Sequence, residues 1–161
     1  MSGRLVHIGS AVVDHVYRID ALPAPGTEKT ASSFAQVAGG GFNMMVAASR
    51  TGMNGDFLRA AFAAEGIATL TPPSPVMDSG NCVAMISGDA ERTFVSWPGA
   101  ESVLSLGMMA PVRLAPDDWV FASGYTLSYP GCRDALADWI EALPAEIPLV
   151  FDPTPVVSEI P

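Results

Sequence analysis

The sequence predicts an α/β fold built on a mainly parallel sheet, and three observations lead there. Short apolar runs at Leu5–Ile8, Trp119–Ala122 and Leu149–Phe151 have the length and composition of buried strands. An amphipathic helical pattern, Gly131 to Leu143, stands between the last two, with Leu136, Trp139, Ile140 and Leu143 on one face. Turn-forming residues follow each run: Gly9-Ser10, Ser123-Gly124 and Asp152-Pro153. Strands that alternate with helices make parallel sheets, whose ligand sites lie beyond the carboxyl ends of the strands. Asp14, Ser123-Gly124 and Asp152 all follow such runs.

The elements are taken in chain order. Leu5–Ile8 is the first buried strand, with His7 its one polar residue. Val12, Val13, Val16, Tyr17 and Ile19 continue as a second extended piece, and Leu22-Pro23-Ala24-Pro25-Gly26 is a turn. Thr27 to Val37 is mostly small and polar, which suits short, partly exposed strands. Gly39-Gly40-Gly41 then opens a short helix at Met44–Arg50 that stops at Gly52. A second helix spans Phe57 to Glu65, with Asp56 as its N-cap and Gly66 as its stop. No strand fits between these two helices, although each crossover should return to the sheet. Cys82–Ser87 and Thr93–Trp97 flank a polar loop and form a hairpin. Met108, Met109 and the isolated tryptophans are assigned to the core.

Composition excludes several classes. With 49% hydrophobic and 16% charged residues, the 161-residue chain has material for a core and is no disordered tail. Its formal net charge is −9, and Lys29 is the only lysine. A binder of nucleic acid or of an anionic membrane surface needs a basic stripe, so neither partner is expected. No apolar run approaches the ~20 residues of a membrane-spanning helix. Cys82 and Cys132 form no C-x-x-C pair, and Met1–Val13 lacks the pattern of a signal peptide. A reduced, cytoplasmic protein is expected.

Four features are candidates for chemistry. Gly39-Gly40-Gly41 reads either as a backbone cradle for hydroxyls or phosphate, or as a tight loop that needs positive φ. It is not the dinucleotide fingerprint, because position 44 is Met. Asp14, between Val13 and Val16, either accepts local hydrogen bonds or fixes the hydroxyls of a ligand. Asn43 is a helix cap, or a donor and acceptor for sugar hydroxyls. His7 and His15 lack metal-ligand spacing and read as core or surface residues; no metal ligand is assigned.

Taken in order, these segments resemble the ribokinase-like, or PfkB, family of carbohydrate and nucleoside kinases. The resemblance rests on Gly9-Ser10-Ala11-Val12-Val13-Asp14, Leu22-Pro23-Ala24-Pro25-Gly26-Thr27, and Gly39-Gly40-Gly41-Phe42-Asn43 before an alanine-rich helix. Gly55-Asp56-Phe57, Glu65-Gly66-Ile67, Glu91-Arg92-Thr93-Phe94 and Asp152-Pro153-Thr154-Pro155 follow. It implies a three-layer α/β/α sheet domain with a small β-sheet lid, the lid strands falling approximately within 12–38 and 81–97. It also implies phosphoryl transfer from ATP, with Mg²⁺, to a hydroxyl of a small sugar or sugar acid, with a nucleoside as the alternative. Asp14 would hold substrate hydroxyls, Gly39, Gly40, Gly41 and Asn43 would line the sugar site, and Tyr125 would be a further contact. Asp152 would border the phosphate region. Gly40 stands where ribokinases proper carry a lysine, so their substrate is not carried over. A homodimer through the lid is expected as well.

The family's D-T-x-G-A-G-D motif, which holds the catalytic aspartate and the anion hole, does not occur in this sequence. The resemblance therefore implies that residues 1–161 are the N-terminal part of such a domain, without the ATP-binding half and without its catalytic residue. Three readings follow: an incomplete record of an active sugar kinase, a shortened inactive sugar-binding protein, or an unrelated α/β nucleotide-binding module.

Overall fold

The computed structural model describes residues 3–40 and 53–160. The expected helix at 44–50, together with Gly41 and Asn43, lies outside them. Two sheets organise the chain. The first is parallel and three-stranded, in the order β1-β6-β7, from β1 (Leu5–Ile8), β6 (Trp119–Ser123) and β7 (Leu149–Asp152). The second has four strands in the order β3-β2-β4-β5, from β2 (Ala11–Arg18), β3 (Ser33–Gly40), β4 (Asn81–Ile86) and β5 (Arg92–Trp97).

The parallel sheet forms where the apolar runs predicted it. Val6, Ile8 and Val120 point to one face and pack on Met109, Leu136 and Ile147. Leu136 belongs to α4 (Arg133–Glu141), shorter than expected, and Met109 to the one-turn helix α2 (Leu106–Met109), which the sequence reading did not anticipate. The sheet's first turn is pinned by Asp118, which is only 1% exposed. Its carboxylate accepts the Arg4 N–H at 2.9 Å, the Arg4 Nε at 3.0 Å and the Ala115 N–H at 2.8 Å. The Arg4 guanidinium holds that carboxyl well below the usual carboxylate range.

His7 faces the other side, stacked on Phe121 with ring centroids 4.8 Å apart. It is buried, its Nδ1 has no hydrogen-bond partner, and burial pushes its pKa down to about 4. Between pH 6.5, where an exposed histidine titrates, and about 4, the unfolded chain holds the extra proton. Stability should therefore fall as the pH drops through that window, by about 3 kcal/mol in all. His7→Phe should flatten this part of the stability curve in acid unfolding followed by circular dichroism; an unchanged slope would count against a neutral, buried His7.

The second sheet joins two hairpins, β2-β3 and β4-β5, through the parallel pair β2-β4. A parallel pair needs a crossover, and α1 (Met53–Ala64) lies on that path. Leu58 and Phe62 of α1 pack fully buried against Ala11 and Val13 of β2. Asp56 is not the N-cap that was expected. It lies within the helix, paired with Arg59, and the cap comes from a distant residue. The Asp78 carboxylate accepts the N–H of Gly55 at 3.0 Å and of Asn54 at 3.3 Å. Gly66, with φ +68°, ends the segment as expected.

Two further expectations are corrected. Gly39 and Gly40, read as part of a loop, are the last residues of β3, opposite Val12 and Ala11. Trp97 and Trp119 are exposed rather than in the core, and only Trp139 packs against it. Trp97 ends the outermost strand, β5, all of whose residues are exposed.

Candidate functional site

The strand register sorts the second sheet into two faces. Ala11 and Val13 face α1; Val12 and Asp14 face the other way. On that opposite face Asp14 has Val37 on one side and Cys82 on the other, with Ser96 beyond Cys82. This face looks onto α3 (Gly124–Ser128), which starts directly at the end of β6. The expected Ser123-Gly124-Tyr125 loop is thus a strand end running into a short helix.

Between them lies a cleft of about 480 Å³, within the size range of small-molecule sites. Asp14, Ser96 and Phe94 form its sheet side, and Tyr125, Ser128 and Tyr129 the opposite wall. The structure therefore brings together Asp14 and Tyr125, two residues singled out from the sequence. Asp152 is not among the cleft's lining residues. It is exposed at the end of β7, where its Oδ1 accepts the Thr154 N–H at 2.9 Å in a local turn. The lining residues missed by sequence reading include Asn81, Phe94, Ser96, Ser128, Tyr129 and Glu159. Alternation along Arg92–Trp97 already puts Phe94 and Ser96 on one face, but only the pairing of β5 to β4 to β2 brings that face to Asp14.

Asp14 is the chemically distinctive group. It is half-buried, and no hydrogen bond from a described residue reaches its carboxylate. Removal from water pushes its pKa up, and the neighbouring His15 only partly opposes this. A carboxylate withdrawn from water with its acceptor capacity unused binds hydroxyl donors well. Gly39 explains how it fits: a methyl group at position 39 would fall on the Asp14 carboxyl. Glycine at that position makes room for a side chain on the neighbouring strand, where the sequence suggested either a cradle or a positive-φ turn. Gly39→Ala should displace the Asp14 side chain and weaken ligand binding while the chain stays folded. Binding calorimetry checks this, and wild-type affinity in Gly39→Ala would show that the carboxyl does not need the space.

The second sheet is anchored beside the cleft. The buried Glu101 accepts the Gly80 N–H at 2.9 Å and the Gly99 N–H at 2.7 Å, tying together the two ends of the β4-β5 hairpin. Behind the cleft wall, burial and the nearby Glu101 push the Tyr129 phenol up to about 12, so its hydroxyl stays protonated at neutral pH. Among the described residues no group of three His, Cys, Asp or Glu side chains could hold a metal ion. No helix among them is long and apolar enough to cross a membrane.

A parallel α/β sheet carrying a second, four-stranded sheet over a cleft resembles the ribokinase-like arrangement. Comparison with known proteins agrees. No protein-family profile matches the chain. The uncharacterized sugar kinase YegV of Escherichia coli K12 is 30% identical over 167 aligned positions, covering 96% of this chain and 51% of YegV. Ribokinase from Giardia lamblia superposes with a TM-score of 0.79 at 17% identity, over 99% of this chain and 57% of that one. Fructokinase from Xylella fastidiosa with bound ATP superposes at 0.69 and 16% identity, over 99% and 54%. The fold is similar to that of ribokinase and fructokinase and the sequence to that of a sugar kinase, and the chain spans about half the length of the relatives it matches.

Proposed function

We propose that the protein containing this chain transfers a phosphoryl group from ATP to a hydroxyl of a small sugar, and that this chain supplies the sugar side of the site. The observation that carries the reading is the Asp14 carboxylate, which accepts no hydrogen bond from a described residue, in the cleft between the second sheet and α3. Asp14 would accept hydrogen bonds from two sugar hydroxyls and so orient the sugar. Tyr125 would lie against the ring, with Gly39, Gly40, Gly41 and Asn43 completing the sugar site. Asp152, turned away into its own loop, is assigned no contact with the sugar. Phosphoryl transfer also needs a base for the attacking hydroxyl and donors for the transferring charge. We assign neither to a residue of this chain. The described residues do not offer a cluster fit for Mg²⁺, so no step is routed through it. A cytoplasmic location accords with such a substrate.

The test is ATP-dependent release of ADP by the full-length protein across a panel of sugars and nucleosides. Turnover with a sugar is expected. Sugar binding without turnover would favour the inactive binding protein, and turnover confined to nucleosides would favour the nucleoside kinase.

A homodimer through the second sheet belongs to the same proposal. Tyr17, Phe34, Val83, Met85 and Val95 share the face away from the cleft, and Phe34 and Val95 are largely exposed. An apolar sheet face of this kind suits a second copy of itself. Sedimentation at micromolar concentration should show a dimer that Phe34→Ser with Val95→Ser dissociates; a wild-type monomer would remove this part of the proposal.

A further inference from the structure

We infer that the cleft selects an uncharged sugar or polyol and rejects sugar acids and sugar phosphates. This rests on the sugar-kinase reading and narrows it. The described residues lining the cleft include two carboxylates, Asp14 and Glu159, and no Arg, Lys or His. The other polar groups there are neutral, among them the hydroxyls of Ser10, Ser96, Ser128, Tyr125 and Tyr129, the Asn81 amide and the Trp97 indole. A bound carboxylate or phosphate needs a cation or a fork of donors, and this lining presents acceptors and hydroxyls instead.

Among the described residues the candidate cations stand outside the lining: the Arg133 guanidinium is engaged with the Ser128 carbonyl at 3.1 Å, and His15, next to Asp14 in β2, points to the opposite sheet face. Arg18 and Arg92 point to the same sheet face as Asp14, but on the rung Arg18–Ile86–Arg92, four residues further along β2. At the rise of an extended strand that is roughly 13 Å, beyond the physiological screening length of about 8 Å. Lys29 is paired with Asp20 at 2.8 Å. The upward pKa of Asp14 follows from its removal from water, which the neighbouring His15 only partly opposes. The chain's net charge of −9 adds a field that repels anions at long range.

Matched pairs test this in the full-length protein: D-glucose against D-gluconate, and D-ribose against D-ribose 5-phosphate, by calorimetry. The neutral member of the bound pair should bind at least roughly 30-fold tighter at low salt, since a like charge within a few ångströms is strongly repelled there. Asp14→Asn, with Glu159→Gln as a second, exposed variant, should narrow that ratio several-fold, whatever happens to absolute affinity. Circular dichroism confirms that both variants fold. Equal or tighter binding of an acid or a phosphate overturns the inference, and so does a ratio that neither variant changes. If no member of either pair binds and ATP is not turned over with any sugar, the sugar-kinase reading itself has failed, a result distinct from loss of selectivity.

Discussion

Asp14→Ala in the full-length protein is expected to weaken sugar binding by roughly 10- to 150-fold, the worth of a hydrogen bond to a charged group. ATP binding should change little, because the substitution removes acceptors from the sugar cleft alone. The effect should be large for a structural reason. Asp14 lies mid-strand in β2, buried on one side by Cys82 and on the other by the β3 backbone at Gly39. Its carboxylate accepts no hydrogen bond from a described residue, so its bonds to a ligand displace none of those residues. Separate calorimetric titrations with sugar and with ATP measure both halves of the prediction. Unchanged sugar affinity would remove Asp14 from the site, and an equal loss for ATP would point to a general collapse of the fold.

Phe62→Ala is expected to have the largest effect on stability, a loss of about 3–5 kcal/mol. Phe62 is 1% exposed and packs with Leu58 on Ala11 and Val13, the back of the strand that carries Asp14. Truncation leaves a cavity between α1 and the second sheet that the rigid strand cannot collapse to fill. Because the same strand presents Asp14 on its other face, sugar affinity should fall as well. Urea unfolding gives the stability change; a loss below about 1 kcal/mol would mean that α1 does not clamp the sheet as described.

The ease of reading each part of the molecule follows from the range of the interactions that set it. The parallel strands β1 and β6 were legible because a strand buried in a sheet needs a short, continuous apolar run between turn residues; β7 forms where its apolar run stands, but all its residues are exposed rather than buried as expected. The β4-β5 hairpin was legible from its polar loop, although the left-handed position there is taken by Ala90, with φ 67°, rather than by Gly88. The start of α1 was misread for the opposite reason. Asp56 has the residue type and position of a local cap, but the N–H groups of Asn54 and Gly55 bond to Asp78, which lies far along the chain. Gly39 stands out in the sequence as part of a glycine run, but that it leaves room for the Asp14 carboxyl on the neighbouring strand is visible only in the structure.

By itself, then, the sequence determined the fold class and the order of the strands along the chain, and it singled out Asp14. Burial patterns, turn chemistry and an acid placed among apolar residues are local, and composition alone carries them. Only the tertiary structure decided which residues share a cleft with Asp14. Phe94, Ser96 and Tyr129 come from segments distant in sequence and meet it through the β2-β4-β5 pairing and the entry of α3 at the end of β6. Pairing between strands is set by the packing of whole faces, and no short stretch of sequence encodes that register.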